Sequence, residues 1–118
     1  MVTDQDDSRG QGVVAEIGSV GGEAVFLHQD VSLEESWPGI VEAAERRFGR
    51  LDVMVANARI GIMCKAVEMS LADWRRQTAV SLDGVFLSVK YAVQRCGALA
   101  VAPSSLHHPL LASGDRQD

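Results

Sequence analysis

Three polar side chains, Asp4, Asp30 and Asn57, stand at or just beyond the ends of short apolar runs, Val2-Thr3, Val25-Phe26-Leu27 and Val53-Met54-Val55-Ala56. Ligands of open parallel sheets settle outside the carboxyl ends of the strands, so residues in these places have access to chemistry. A carboxylate there can accept hydrogen bonds from a ribose diol. An amide can pair with an adenine edge or tie neighbouring strands together. Acids and amides at strand ends also cap nearby backbone, and for any one of the three taken singly that role is equally well supported.

Other chemistries find little support. Cys64 and Cys96 have no CxxC spacing and no secretory context, which predicts reduced structural thiols. His28, His107 and His108 do not assemble a metal set, since one falls in a predicted strand and the others are adjacent in the tail, so no metal is expected. Tyr91 is the sole tyrosine, and its spacing to Arg95 imitates Tyr-x-x-x-Lys, but it falls inside a predicted helix and is expected to pack. A net charge of -5 argues against nucleic acid as a partner. No apolar run approaches the roughly 20 residues of a membrane span, and Met1-Val2-Thr3-Asp4 does not open a signal peptide, so the expectation is a cytoplasmic protein with no membrane partner. With 118 residues, 47% hydrophobic and 23% charged, the composition is that of one globular unit.

The elements that position the polar residues follow from periodicity. Val2-Thr3-Asp4 reads as the end of a strand. Asp6 or Asp7 caps a helix carrying Val13, Val14, Ile17 and Val20, weakened by Gly10, Gly12 and Gly18 at about 1 kcal/mol each against alanine. Glu23 to His28 reads as a buried strand. Ser32 with Glu35 forms a capping box for a helix with Trp37, Ile40, Val41, Ala44 and Phe48 on one face, in which Pro38 removes a backbone donor and Gly49 makes the stop. Leu51 to Ile60 is a strand without polar alternation, as expected where helices cover both faces, ending in a polar turn. A loop to Met69 leads to a second helix capped by Ser70 and running through Gln94, and Ala98 to Ala102 reads as one more short strand before an irregular tail. Alternating strands and helices with short links specify an α/β fold with right-handed crossovers.

Val55-Ala56-Asn57-Ala58-Arg59, after the lead-in Phe48-Gly49-Arg50-Leu51-Asp52, resembles the Asn-Asn-Ala-Gly segment that ends the fourth strand of short-chain dehydrogenases/reductases. The resemblance runs in register from about Val2 to Val93. It implies a partial Rossmann-like parallel sheet of about three to four strands with flanking helices, incomplete relative to the family, over residues 1–94, followed by a divergent tail over 95–118. It also implies an NAD(P)-dependent oxidoreductase that interconverts a small-molecule alcohol and ketone by hydride transfer. By that resemblance Asp4 matches the acid that accepts the adenosine ribose hydroxyls, with no arginine directly after it, which points to NAD. Asp30 and Val31 match the pair that contacts adenine, and Asn57 and Ala58 match the Asn-Ala of the strand motif. The helix 70–94 matches an element commonly found at subunit interfaces, which implies a homo- or hetero-oligomer.

The departures from the family set the remaining expectations. The glycine-rich phosphate loop should precede Met1, and without it there is no backbone nest for a pyrophosphate. Arg59 stands where the family keeps glycine, and is expected to swing toward solvent. Ser81 falls on the family's helix asparagine and is shorter, with no amide. Ser104-Ser105 resembles the catalytic serine motif, which makes Ser105 the candidate, but the tyrosine due thirteen residues later would fall on Asp118. No intact catalytic set is therefore present. The expected protein is a fragment that does not turn over alone; the alternatives are a non-catalytic α/β interaction module acting through the helix 70–94, or a decayed product with no independent function. In the family's strand order the absent first strand separates the strand at Val2 from the strand at Leu51, so a gap in the sheet is expected.

Overall fold

The computed structural model describes residues 1–93 and 95, and the backbone of 98–101. Ser105, Cys96 and the rest of the tail lie outside the described residues. In chain order the elements are β1 (Val2–Asp4), α1 (Asp7–Ser19), β2 (Phe26–His28), α2 (Trp37–Phe48), β3 (Val53–Ala56), α3 (Leu71–Thr78), α4 (Gly84–Ala92) and β4 (Ala98–Val101). A 3-10 turn, Glu34–Ser36, leads into α2, and a π turn, Ala79–Asp83, joins α3 to α4.

The protein is α/β, with its parallel strands in two separate pairs. β1 runs parallel to β2, with Val2 opposite Phe26 and Asp4 opposite His28. β3 runs parallel to β4, with Val53 opposite Ala98 and Ala56 opposite Val101. No strand joins the two pairs among the described residues, so the gap expected between the strands at Val2 and Leu51 is present. The run from Ala98 supplies β4.

Each helix packs where its apolar face and its glycines allow. α1 begins at an N-cap, Asp6, whose carboxylate accepts from the Arg9 amide at 3.0 Å. It lies on β1 and β2, and Gly10 lets it come close enough that a Cβ there would run into the Phe26 ring. α2 and α4 form the main core seam, in which Trp37, Val41, Ala44, Leu87 and Ala92 are buried. Gly49 ends α2 with φ of 83°, the left-handed conformation that favours glycine. α4 also packs on β3.

Three local expectations are revised. Ser32 does not cap α2, because Asp30 takes it first: the Asp30 carboxylate accepts from the Ser32 amide at 2.9 Å and the Ser32 hydroxyl at 2.6 Å. α2 therefore starts at Trp37, which puts Pro38 in its first turn, where a missing N–H leaves no helical bond unmade. The helix from Ser70 is not uniform, since its α-helical turns are interrupted by the π turn that carries Ser81. β3 is not covered on both faces: Val53 and Val55 are 55% and 57% exposed while Met54 and Ala56 are half-buried, so the strand has one open face.

Candidate functional site

The space between the two strand pairs is a cleft of about 640 Å³. Met1, Thr3 and Asp4 line it from β1, Leu51 and Val53–Ile60 from β3 and the turn after it, and Gln29, Val31, Trp37, Val80 and Gly84 from the elements between and below. Four of the residues singled out by sequence, Asp4, Val31, Asn57 and Ala58, thus share one cavity wall. Asp30 does not line it.

The Asp4 carboxylate is exposed, and one of its oxygens accepts from the Asp6 amide at 2.9 Å, which orients the group and leaves the other oxygen available. Next to it, the Asp4 carbonyl accepts from the Gln29 amide at 3.0 Å, extending the ladder past the end of β2. Asp30 is turned to its own loop. Partial burial works against its charge, but hydrogen bonds from the Ser32 hydroxyl and amide and from Gln5, with His28 nearby, outweigh it and hold the carboxyl below the usual carboxylate range. Asp30 thus shapes the turn that presents Val31. That turn is fixed from the other side as well, because Trp37 Nε1 donates to the Val31 carbonyl at 3.0 Å and Gly84 brings α4 against the Val31 side chain.

On the β3 side, Asn57, Ala58 and Arg59 are all exposed at the cleft. Arg59 keeps its place in the lining despite standing where the family's glycine does. Below it, Ser81 is half-buried. Its hydroxyl donates to the Ile60 carbonyl at 3.3 Å and accepts from the Ile60 amide at 3.4 Å, long contacts that tether the loop after β3 to the π turn. Gln77 adds a firmer tether, accepting from the Ile62 amide at 2.8 Å.

Tyr91 is more than packing. Its hydroxyl donates to Glu34 at 2.9 Å, and Lys90 reaches the same carboxylate at 2.5 Å. The Lys90 and Tyr91 hydrogen bonds lower the Glu34 carboxyl, while the bonds to Glu34 raise both Lys90 and Tyr91. A tyrosine raised in this way, and not among the residues lining the cleft, is not poised as a proton donor to a ligand there. His28 pairs with Asp7 at 2.7 Å on the surface. Cys64 is free and exposed. Among the described residues, no group of three or more His, Cys, Asp or Glu side chains could hold a metal, and no helix is long and apolar enough to cross a membrane.

A family model described as Enoyl-(Acyl carrier protein) reductase matches residues 1–106. The chain belongs to the short-chain dehydrogenase/reductase family. Over 70 residues it is 44% identical to trans-4-hydroxycyclohexanecarboxylate dehydrogenase of Sinomonas cyclohexanicum, a match covering 59% of this chain and 27% of that protein. Among solved structures it is similar to a 3-ketoacyl-ACP reductase from Sinorhizobium meliloti 1021, with a TM-score of 0.74, 34% identity, and coverage of 86% of this chain and 42% of the other. It is also similar to an alcohol dehydrogenase from the archaeon Thermococcus sibiricus complexed with 5-hydroxy-NADP, with a TM-score of 0.72, 29% identity and coverage of 79% and 40%. This short-chain dehydrogenase/reductase chain therefore spans between about a quarter and under half the length of these relatives.

Two residues of this member's cleft escaped the sequence reading. Gln29 is 3% exposed, and its side-chain Nε2 has no hydrogen-bond partner among the described residues. A lone glutamine between a strand and a turn carries no sequence signal of burial. Gly84 carried no signal either, because a glycine inside a helix reads as a defect until its neighbour is known.

Proposed function

We propose that the chain carries the adenosine side of the dinucleotide site of an oxidoreductase that interconverts an alcohol and a ketone by hydride transfer, and that it does not turn over by itself. The reading rests on one observation: Asp4, Val31, Asn57 and Ala58, brought from three separate places in the chain, meet in one cleft at the carboxyl ends of parallel strands. The donor set suits a nucleoside. Asp4 offers a carboxylate oxygen to a ribose diol, Val31 an apolar contact for an adenine face, and Asn57 an amide. Bound there, the cofactor would supply the hydride chemistry; this chain's residues would hold and orient its adenosine end. Asp4 would repel a ribose phosphate, and no arginine follows it directly, which favours NAD even with Arg9 in the cleft lining. Inactivity alone is supported by Tyr91, the sole tyrosine, whose hydroxyl is held by Glu34. Titration of NADH into the purified chain, with a simple ketone present, tests both parts. Saturable binding without oxidation supports the reading; ketone-dependent oxidation refutes the inactivity, and no binding refutes the site.

A second reading, an interaction module, is favoured by a different observation. Leu71, Trp74, Leu82, Phe86 and Val93 on the helix 70–94 are 52–65% exposed, an apolar stripe of the kind that marks association surfaces. Co-purification with a full-length family member, lost in Trp74→Glu or Phe86→Glu, would support it. Unchanged association in both variants would sink it.

A further inference from the structure

We propose that Arg59 binds the diphosphate of the dinucleotide, so that this chain holds its ligand's phosphates through a side chain at a position where the family keeps glycine. The inference rests on the nucleotide reading above and goes beyond it, since that reading places only the adenosine end.

The backbone accommodates the arginine without strain. Among the described residues none but glycine has a positive φ, so the position does not require the left-handed conformation that glycine alone adopts freely. Arg59 stands three residues past the end of β3 and immediately before Ile60, whose amide and carbonyl both meet the Ser81 hydroxyl, at 3.4 and 3.3 Å. Just beyond, the Ile62 amide donates to Gln77 at 2.8 Å. The root of the arginine is therefore held in place from α3 and from the π turn. A long side chain on a fixed root loses less freedom when it meets a ligand than one on a loose loop.

Charge in the cleft runs against the charge of the chain. The protein carries 16 acidic residues against 11 lysines and arginines, yet the charged side chains lining the cleft are Arg9, Arg59 and Asp4. Two guanidinium groups to one carboxylate give an anionic ligand a favourable field inside an otherwise acidic protein. The acid and Arg59 come from opposite walls, Asp4 from the end of β1 and Arg59 from the turn after β3. A nucleotide carries its ribose hydroxyls on one edge and its 5′ phosphates on the other. With the hydroxyls at Asp4, the phosphates fall to the β3 wall, where Arg59 stands next to Asn57 and Ala58. The guanidinium suits that place, being planar, permanently charged and forked so that two N–H groups meet two phosphate oxygens. An uncharged adenosine gives the fork nothing to bind, so its contribution is confined to phosphorylated ligands. Arg9 belongs to α1, which packs on β1 and β2, and so shares the wall of Asp4 and provides the control.

The test titrates adenosine, ADP and NADH into the full 118-residue chain by calorimetry, as wild type and as Arg59→Gln, Arg59→Lys and Arg9→Gln. In the wild type, ADP and NADH should bind at least about tenfold more tightly than adenosine. Arg59→Gln should weaken both by about tenfold, the effect of a hydrogen bond to a charged group, and leave adenosine within about twofold. Arg59→Lys, which keeps the charge without the fork, should lose about threefold. Arg9→Gln should lose less than Arg59→Gln, and added salt should weaken ADP binding more in the wild type than in Arg59→Gln. ADP binding no tighter than adenosine overturns the proposal and leaves the nucleoside reading standing. So do equal losses of adenosine and ADP in Arg59→Gln, which mark a general disturbance of the site, and tighter ADP binding in that variant, which marks the arginine as an obstruction. Binding of none of the three ligands overturns the proposal and the nucleotide reading together. The wild-type comparison and Arg59→Lys carry the test even if Arg59→Gln fails to fold.

Discussion

Gly84→Ala isolates the contact that holds Val31 at the cleft. In a helix interior, replacing glycine by alanine normally stabilises by about 0.5–1 kcal/mol. Here a Cβ would lie 2.7 Å from Val31 Cγ2, 3.2 Å from its Cβ and 3.5 Å from its carbonyl oxygen. Carbon atoms prefer about 3.5–4.0 Å, so the overlap with Cγ2 is close to an ångström. The neighbour cannot easily give. Valine is stiff at χ1, and the Val31 carbonyl is fixed by Trp37 Nε1. Overpacking of this kind costs about 1–3 kcal/mol, which outweighs the helix gain and leaves Gly84→Ala net destabilising by about 1 kcal/mol. Urea unfolding of Gly84→Ala, Val31→Ala and the double variant forms a cycle that reads the coupling directly. In the double variant the methyl at 2.7 Å is gone and only the 3.2 Å contact with the residue 31 Cβ stays tight, so Gly84→Ala should come close to neutral, with a coupling of about 1 kcal/mol. A Gly84→Ala that stabilises in the wild-type background, with no coupling to Val31→Ala, would refute the close approach of α4 to the Val31 turn.

Three further outcomes follow from the same structure. Gly10→Ala should destabilise by about 1–3 kcal/mol through the Phe26 ring, whereas Gly12→Ala, with nothing within 4 Å, should stabilise by up to about 1 kcal/mol; equal effects at both sites in thermal unfolding would contradict the packing of α1. Ser70→Ala should cost about 1 kcal/mol, since Ser70 Oγ accepts from the Asp73 amide at 3.0 Å, and an unchanged urea midpoint would show that this cap contributes nothing. Asp30 has a folded-state pKa lowered below its ordinary value, so its contribution is present above the unfolded pKa and is lost as pH falls through the folded one. Wild-type stability should therefore fall more than that of Asp30→Asn on acidification through and below the usual carboxylate range, and parallel curves for the two would refute the Ser32 bonds.

What could be read in the sequence was local or carried by the family pattern. Ser70 caps its helix, Gly49 stops α2 in a left-handed turn, and Trp37, Val41 and Ala44 are buried together because their spacing follows the helical period. Family membership was legible in Val55 to Arg59, and the gap in the sheet in the family's strand order. What was revised depended on neighbours distant in sequence or on competition between local bonds. Ser32 looked like a cap, but Asp30, two residues earlier, offered its hydroxyl and amide a nearer acceptor, and that shift moved Pro38 into a harmless position. Gly10 counted as a helix defect because Phe26 is far away in the chain, and Gly84 carried no signal because Val31 is farther still. Asp30, placed beside the ligand by resemblance, also holds the turn that carries Val31 through its bonds to Ser32.

The most direct test of the proposed site is a residue-resolved titration of NADH into the isotopically labelled chain, followed through the backbone amide resonances. Saturable shifts concentrated at Asp4, Val31, Asn57 and Ala58, diminished in Asp4→Ala, are the expected result. Shifts absent from those four residues, or identical in Asp4→Ala, would contradict a nucleoside site at the carboxyl ends of β1 and β3.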